Sequence, residues 1–226
     1  LHQQTLLTKY SPPSTADVEQ PIPDYSDSTI TREANSKYLA SASKKKFYGN
    51  NYRTEWSLPT TFSYFDIGNE KGGLKVVKRG GGGQTLSLRL EAKDGKQYVL
   101  RSVDKYPERN IPPSLSSPFI NTVLGEVISA SHPYAALAVP PMADAIGVYH
   151  TNPKIVYIPD DPRLGQYRGT HSNTLALFEE RPDDDWSEAD FFGNSEDIES
   201  TPKMLKDLRE DNDNEVDQRF YLKSRL

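Results

Sequence analysis

The sequence contains no cysteine, which excludes disulfide bonds, thiolate zinc sites and a cysteine nucleophile. It also lacks any run of about eighteen apolar residues, so we expect no membrane span within this chain. Only 35% of its 226 residues are hydrophobic, and the mean hydropathy is −0.72. Together with 17 Pro and 14 Gly, these low values predict long loops and a modest core.

The net charge of −5 is unevenly distributed along the chain. Residues 44–109 hold 14 Lys or Arg against 7 Asp or Glu, whereas residues 179–217 hold 16 Asp or Glu against 4 Lys or Arg. One interpretation is two solvated faces that attract each other. The other is that the basic part binds an anion, such as a phosphate or an anionic lipid head group. The overall acidity argues against nucleic acid as a partner.

Proline and the periodicity of apolar residues suggest how the chain is organised. Proline-rich stretches prevent regular pairing near the start, where we expect only a short helix within Thr29–Ser43, capped by Thr31. We predict a linker or tail over 1–43, an α+β domain over 44–165, an acidic irregular linker over 166–200, and a helical segment over 201–226 that begins a following lobe.

Three antiparallel strands are predicted at Leu74–Lys78, Thr85–Leu90 and Gln97–Val103, because apolar residues recur there with a period of two. Asp94-Gly95 predicts a type I′ turn between the last two strands, since that turn requires positive φ. Further strands are predicted at Thr60–Ile67 and in a hairpin formed by Ile146–His150 and Lys154–Ile158.

One main helix is predicted after this meander, with Ser116 or Ser117 as its cap and Pro118 at its first position. Its apolar residues at helical spacing are expected to form a buried stripe: Phe119, Val123, Val127 and Ala130. Two helices close the chain, one capped by Thr201 and one that begins near Asn214. The predicted fold class is therefore α+β, with an antiparallel sheet of about five strands, one main packed helix, an extended N-terminal tail and C-terminal helices.

The order of these parts resembles the N-terminal lobe of an atypical kinase fold. Gly125–Ala130 followed by Ala138–Pro141 is similar to a run in Fam20-like, HipA-like and phosphoinositide-kinase-like proteins. Four other runs resemble a region of large Gram-negative envelope proteins: KGGLKVVKRGGGGQTLSLRL, YVLRSVDK, HTNPKIVYIPDDPRLG and ALFEERPDDDW. In those proteins the region follows a calcineurin-like metallophosphoesterase domain and precedes a surface-antigen barrel of the BamA/TamA type. The resemblance covers residues 45–226.

The resemblance implies a nucleotide site for ATP with Mg²⁺. In it, Arg101 (or Lys105, if the register slips) would pair with Glu126 on the helix, and backbone N–H groups of a glycine loop would hold phosphates. The loop residues would be Gly80, Gly81, Gly82 and Gly83. A run of four glycines also suits a tight or mobile hairpin, and Arg101 and Glu126 also suit an ordinary ion pair or solvent exposure.

No catalytic residue is predicted, because the aspartates of the catalytic lobe in the resembled family have no counterpart here. No metal site is predicted either. The histidines His132, His150 and His171 lack the spacing of a two-histidine site, and Asp183–Asp185 lacks the spaced oxygen ligands of a calcium loop.

Three functions follow from these observations. The preferred one is a non-catalytic interaction or scaffold module of a larger exported envelope protein, located in the periplasm or at the outer membrane. Its partners would be other domains of the same polypeptide and envelope proteins. The alternatives are the nucleotide-binding lobe of a kinase-like phosphotransferase, and part of a phosphoesterase whose hydrolase site lies outside this chain. The first residue is Leu1, so we expect that the natural start has been removed.

Overall fold

The computed structural model describes residues 23–80 and 83–225. These residues form an α+β structure around a seven-stranded mixed sheet, with the strand order β1-β2-β6-β7-β5-β4-β3. In chain order, the strands are Thr29–Arg32 (β1), Thr60–Tyr64 (β2), Leu74–Arg79 (β3), Ser87–Ala92 (β4), Gln97–Ser102 (β5), Lys154–Ile158 (β6) and Thr174–Glu180 (β7).

Seven α-helices lie within the described residues: Ala42–Tyr48 (α1), Arg53–Ser57 (α2), Pro118–Ser129 (α3), Val139–Ile146 (α4), Arg168–His171 (α5), Thr201–Glu210 (α6) and Gln218–Lys223 (α7). Short 3₁₀ helices occupy Ser36–Tyr38, Glu70–Gly72, Pro107–Asn110, Pro113–Leu115, Ala135–Ala138, Pro162–Tyr167 and Asp190–Phe192.

The predicted meander is confirmed, since β3, β4 and β5 pair in sequence and antiparallel. The turn between β4 and β5 differs from the predicted type I′ turn. Only Gly95 has a positive φ, of 87°, and the strands close with Ala92 N donating to Lys96 O at 3.0 Å. The connection is therefore a three-residue loop. Asp94 stabilises it through its side chain, which accepts a hydrogen bond from Lys96 N.

The sheet is larger than the five antiparallel strands predicted, and it contains one parallel pair, β2 with β6. Residues 166–200 were predicted to be an acidic irregular linker, but β7 lies among them and pairs with both β5 and β6. Thr29–Arg32 forms β1 instead of the start of a helix. The strand predicted at Ile146–His150 is wrong: α4 ends at Ile146, and Gly147 follows in the left-handed region.

The main core lies between one face of the sheet and the two segments that flank β7, residues 161–173 and 181–198. Strand residues such as Leu90 and Phe178 pack there against Trp186 and Phe192 from the second segment. The ring of Tyr98 stacks on Phe178 at 5.5 Å and meets Trp186 edge-on at 6.2 Å. Residues predicted as an acidic linker therefore supply part of the apolar core.

Smaller clusters cover the opposite face of the sheet. Neighbouring residues of a strand point to opposite faces, so Val156 joins the main core while Tyr157 packs with Phe62 and Leu175 on the other side. Close by, Trp56 of α2 and Ile128 of α3 pack against Tyr38. Through these contacts, α2 and α3 lie together on this side of the molecule.

The main helix α3 is confirmed, with Ser117 as its cap and Pro118 in its first turn. The predicted buried stripe is wrong, because Phe119 is 71% exposed and Val127 is 63% exposed. The residues of α3 that are buried include Glu126, Ile128 and Ser129.

The two predicted C-terminal helices are present with shifted starts. Helix α6 is preceded by Ser200 as its cap, one residue before the predicted Thr201. Helix α7 begins at Gln218, where the Asp217 side chain accepts hydrogen bonds from two backbone N–H groups. The predicted start near Asn214 is therefore four residues early.

Because Trp186 is buried in the main core, we expect Trp186→Ala to destabilise the chain by about 3–5 kcal/mol through lost burial and a residual cavity. Urea denaturation followed by circular dichroism measures this loss. The control is Phe47→Ala on the exposed surface of α1, which is expected to change the free energy of unfolding by less than about 0.5 kcal/mol. Equal stability of both variants would show that residues 181–198 do not pack on the sheet.

Candidate functional site

The carboxylate of Glu126 lies at the centre of a buried ionic cluster. Its Oε1 is 2.5 Å from Lys44 Nζ, and its Oε2 accepts a hydrogen bond from Arg53 Nη2. Arg53 is only 2% exposed and also donates through Nη1 to Tyr38 O at 3.0 Å. The cluster therefore joins α1, α2 and α3 through charge.

Polar contacts extend this cluster along the inward edge of α3. Ser129 Oγ donates to Glu126 O at 2.7 Å and accepts from Asn51 Nδ2 at 2.9 Å. The indole N–H of Trp56 donates to Ser131 O at 2.8 Å. These bonds satisfy buried polar groups that would otherwise cost stability. They also fix which side of α3 faces the protein.

Burial raises the pKa of Glu126, but the hydrogen bonds from Lys44 and Arg53 outweigh this effect and hold the pKa below its ordinary value of 4.5. The carboxylate is therefore ionised at neutral pH. Each oxygen of this carboxylate already contacts a cation, Lys44 of α1 or Arg53 of α2. Glu126 is therefore suited to holding these helices against α3 and poorly suited to proton transfer.

The predicted pair of Arg101 with Glu126 is wrong. Arg101 Nη1 lies 3.3 Å from Glu179 Oε1 on β7. The register explains this partner: Arg101 is opposite Leu177 and Val99 is opposite Glu179, so Arg101 and Glu179 are diagonal cross-strand neighbours. Sequence reasoning missed Arg53 as the partner of Glu126 because the two residues lie 73 positions apart in the chain and no local pattern links them.

The glycine run is partly described. Gly80 N donates to Ser87 O at 2.8 Å, which continues the pairing of β3 with β4. A Cβ at Gly80 would lie 2.2 Å from Ser87 Oγ, and one at Gly83 would lie 2.6 Å from Asn110 Nδ2. Glycine is therefore required at Gly80, where Ser87 Cβ would also lie 2.8 Å away, whereas at Gly83 the Asn110 side chain can move aside. The predicted roles of Gly81 and Gly82 fall outside the described residues, and phosphate binding by the run stays a prediction.

A cavity of about 260 Å³ lies beside Glu126. Three lysines line it, Lys37, Lys44 and Lys105, together with Tyr38 and Glu108. Asp104 binds two of these side chains, with Oδ2 at 2.5 Å from Lys37 Nζ and Oδ1 at 2.6 Å from the Tyr38 hydroxyl. The carboxylates of Glu126 and Asp104 are thus both used to connect secondary-structure elements. This arrangement is typical of structural cross-links.

Large apolar side chains are exposed on and around α3 and α4. We call this part of the protein the 115–149 surface, after these side chains: Leu115, Phe119, Val127, Leu137, Val139, Met142, Ile146 and Tyr149. Residues 118–149 contain only two charged side chains, Glu126 and Asp144, although 26% of the chain is charged. Glu126 is buried, and Asp144 Oδ1 lies 2.9 Å from His150 Nε2. Residues 118–149 therefore bring few charges of their own to the surface, although Lys223 of α7 lies beside them, with its Nζ 3.9 Å from where a Cβ of residue 147 would be.

No protein-family model, curated protein or solved structure matches this chain. Within residues 23–80 and 83–225, no group of three or more His, Cys, Asp or Glu side chains is placed to hold a metal ion. The helices of this part of the chain are all too short or too polar to span a membrane.

We expect Glu126→Gln to lower the free energy of unfolding by about 3–5 kcal/mol at pH 7, because it leaves Arg53 buried without its acid. The pKa of Glu126 is depressed in the folded state, so its contribution is complete above pH 4.5 and is lost as the pH falls through the folded pKa. The difference between the variant and the original chain should therefore shrink below pH 4.5. Urea titrations from pH 7 down to pH 3 measure it.

The matched control for this experiment is Glu108→Gln, the same chemical change at an exposed acid of the same cavity. It should alter the free energy of unfolding by less than about 0.5 kcal/mol. A cost for Glu126→Gln that is equally small at pH 7 would contradict the structural role of the cluster.

Proposed function

We propose that this chain is a non-catalytic interaction module of a larger exported cell-envelope protein and that the 115–149 surface carries the interaction. One observation supports this most strongly: large apolar side chains of a segment with few charges are exposed to solvent. Single exposed apolar residues are common on proteins. A concentration of them is typical of surfaces that bind other proteins.

The Glu126 cluster explains why these side chains stay outside. Rotating α3 to bury Phe119 and Val127 would withdraw Glu126 from Arg53 and leave a buried cation without a partner. Such a loss costs about 3–5 kcal/mol. Burying both side chains would return about 3–6 kcal/mol in total, but the same rotation would also expose Ile128, which is buried now, at a further cost of about 1.5–3 kcal/mol. The helix is therefore held with its apolar residues facing outward.

The chemistry of the 115–149 surface favours a protein partner. The central part of a protein interface is depleted in charge and rich in aromatic residues and methionine. The 115–149 surface has this character, with Phe119, Met142 and Tyr149 exposed. Nucleic acids and anionic lipids require basic groups, which residues 118–149 lack. We infer that the partner is another domain of the same polypeptide. The exported location rests on the resemblance of four sequence runs to Gram-negative envelope proteins.

The nucleotide-binding lobe of a kinase-like protein is a second candidate. It is favoured by the contact between Glu126 on α3 and Lys44 beside a cavity, because kinase lobes pair a lysine with a helix glutamate. Here the lysine comes from helix α1 and not from a strand, and Arg53 occupies the other carboxylate oxygen. For this reason the interaction module is preferred.

A photo-crosslinking amino acid placed at Phe119 or Met142 of the full-length polypeptide should form crosslinks to another domain of that polypeptide. Mass spectrometry of the crosslinked peptides identifies the partner. The control position is Phe47, which is also exposed but lies on α1. Equal crosslinking at Phe47 and Phe119, or crosslinks confined to a second copy of the chain, would overturn the proposal.

The same surface should be unnecessary for folding. We expect Phe119→Ala to change the free energy of unfolding of the 226-residue chain by less than about 0.5 kcal/mol, as is usual for exposed sites. A larger loss would mean that Phe119 packs within this chain.

A further inference from the structure

Helix α1 presents one side to solvent. Four of its residues are exposed: Ala42, Ser43, Lys46 and Phe47. Residues three or four positions apart are neighbours on a helix, which links Ala42 to Lys46, Lys46 to Ser43, and Ser43 to Phe47. The four residues therefore form one continuous stripe, and we call it the α1 face.

The apolar member of the α1 face contributes little to the fold. Phe47 is 82% exposed, the largest exposed fraction among the large apolar side chains of residues 23–80 and 83–225. Its ring meets the neighbouring ring of Tyr48 edge-on at 4.9 Å. Because so little of Phe47 is buried, most of its apolar surface is available to a partner.

The chain around the α1 face carries charge of one sign. Residues 34–54 contain five cations and no Asp or Glu: Lys37, Lys44, Lys45, Lys46 and Arg53. Two acids from elsewhere in the chain, Asp104 and Glu126, contact Lys37, Lys44 and Arg53. Five cations against two acids leave an excess of three positive charges. The cations next to Phe47 in the sequence, Lys45 and Lys46, are not among the three that contact these acids.

This combination of groups favours a lipid surface over other anionic partners. Helices that lie in a membrane interface carry Lys or Arg together with exposed Phe, Trp or Leu. Proteins that bind single-stranded nucleic acid stack successive bases on several aromatic rings along a basic groove, whereas the α1 face has a single ring on a convex helix. Interfaces between proteins are depleted in lysine.

We propose that the α1 face binds the surface of a bilayer that contains anionic phospholipids. Lys45 and Lys46 contact the phosphates of the head groups, and Phe47 inserts at the boundary between head groups and acyl chains. Ala42 and Ser43 are small, so the helix can approach the surface closely. Each lysine strengthens such binding by about fivefold. Contacts of this size orient a protein that has a second attachment and do not anchor it alone.

The proposal does not depend on the 115–149 surface, so either proposal can fail alone. It assigns a partner to the basic part of the chain, whereas the 115–149 surface is assigned to another domain of the polypeptide.

Insertion of residue 47 is measured with Phe47→Trp in the 226-residue chain. The vesicles contain equal parts of phosphatidylglycerol and phosphatidylcholine, with bromine on the acyl chains, in a buffer of low ionic strength. We expect the bromine to quench the introduced indole. The original chain supplies the background, because Trp56 and Trp186 are only 1% and 3% exposed.

The matched control is Phe119→Trp, the same change at a phenylalanine that is 71% exposed on α3. It should show little quenching, because residues 118–149 lack basic groups. Equal quenching of the two variants would overturn the proposal. Vesicle binding without quenching of Phe47→Trp, or no binding to these vesicles, would overturn it as well.

Charge variants separate the α1 face from general attraction to a basic protein. In vesicle co-sedimentation, Lys45→Gln and Lys46→Gln should each weaken binding by about fivefold, and Phe47→Ala by about tenfold or more. The control is Lys93→Gln, the same change at an exposed lysine that follows β4. An equal loss in Lys93→Gln and Lys46→Gln, or equal binding to vesicles of phosphatidylcholine alone, contradicts the assignment.

A titration with a single-stranded oligonucleotide tests the other polyanion that lysines attract. Absence of binding, or binding that Lys46→Gln leaves unchanged, supports the lipid surface as the partner. Oligonucleotide binding that is tighter than vesicle binding at equal phosphate concentration, and that is lost in Lys46→Gln, would assign the α1 face to nucleic acid and overturn the proposal.

Discussion

The buried contact between Glu126 and Arg53 sets the arrangement of everything on one side of the sheet. An arginine that is nearly inaccessible to water needs its acid at hydrogen-bond distance, because an unpaired buried charge is among the most expensive features a fold can contain. Meeting this need orients α3 and places α1 and α2 against it. The polar edge of the helix faces inward as a result, and its apolar residues become the outer surface of the molecule.

The two faces of the sheet are therefore held by different forces. On one face, Trp186, Phe192 and their neighbours form an apolar core with strand residues such as Leu90 and Phe178. On the other face, small apolar clusters are joined by ionic and hydrogen-bonded contacts around Glu126 and Asp104. Hydrophobic burial tolerates changes of pH, whereas a carboxylate with a depressed pKa loses its contribution in acid. Glu126 is such a group on the helical side, and Asp66, which pairs with Arg163, is another on the side of the main core.

Sequence reasoning found the elements that depend on local signals. The meander of β3, β4 and β5 was predicted because its turn and alternation lie within about thirty residues of chain, and α3 was predicted from Ser117 and Pro118. It missed β7, since a strand buried on both faces shows no alternation of polar and apolar residues. Sequence reasoning also placed the wrong face of α3 in the core. The contact with Arg53 determines which face is buried, and Arg53 lies far from α3 in the sequence.

The position of β7 has a consequence for how the chain folds during synthesis. Strand β7 is the one that joins the pair β1–β2 and strand β6 to the meander of β3–β5. One edge of β5 therefore stays unpaired until residues 174–180 have left the ribosome. Long-range pairing of this kind is slow, and an open strand edge recruits other chains in the meantime. Until β7 is available, the meander and the other strands cannot be joined into one sheet.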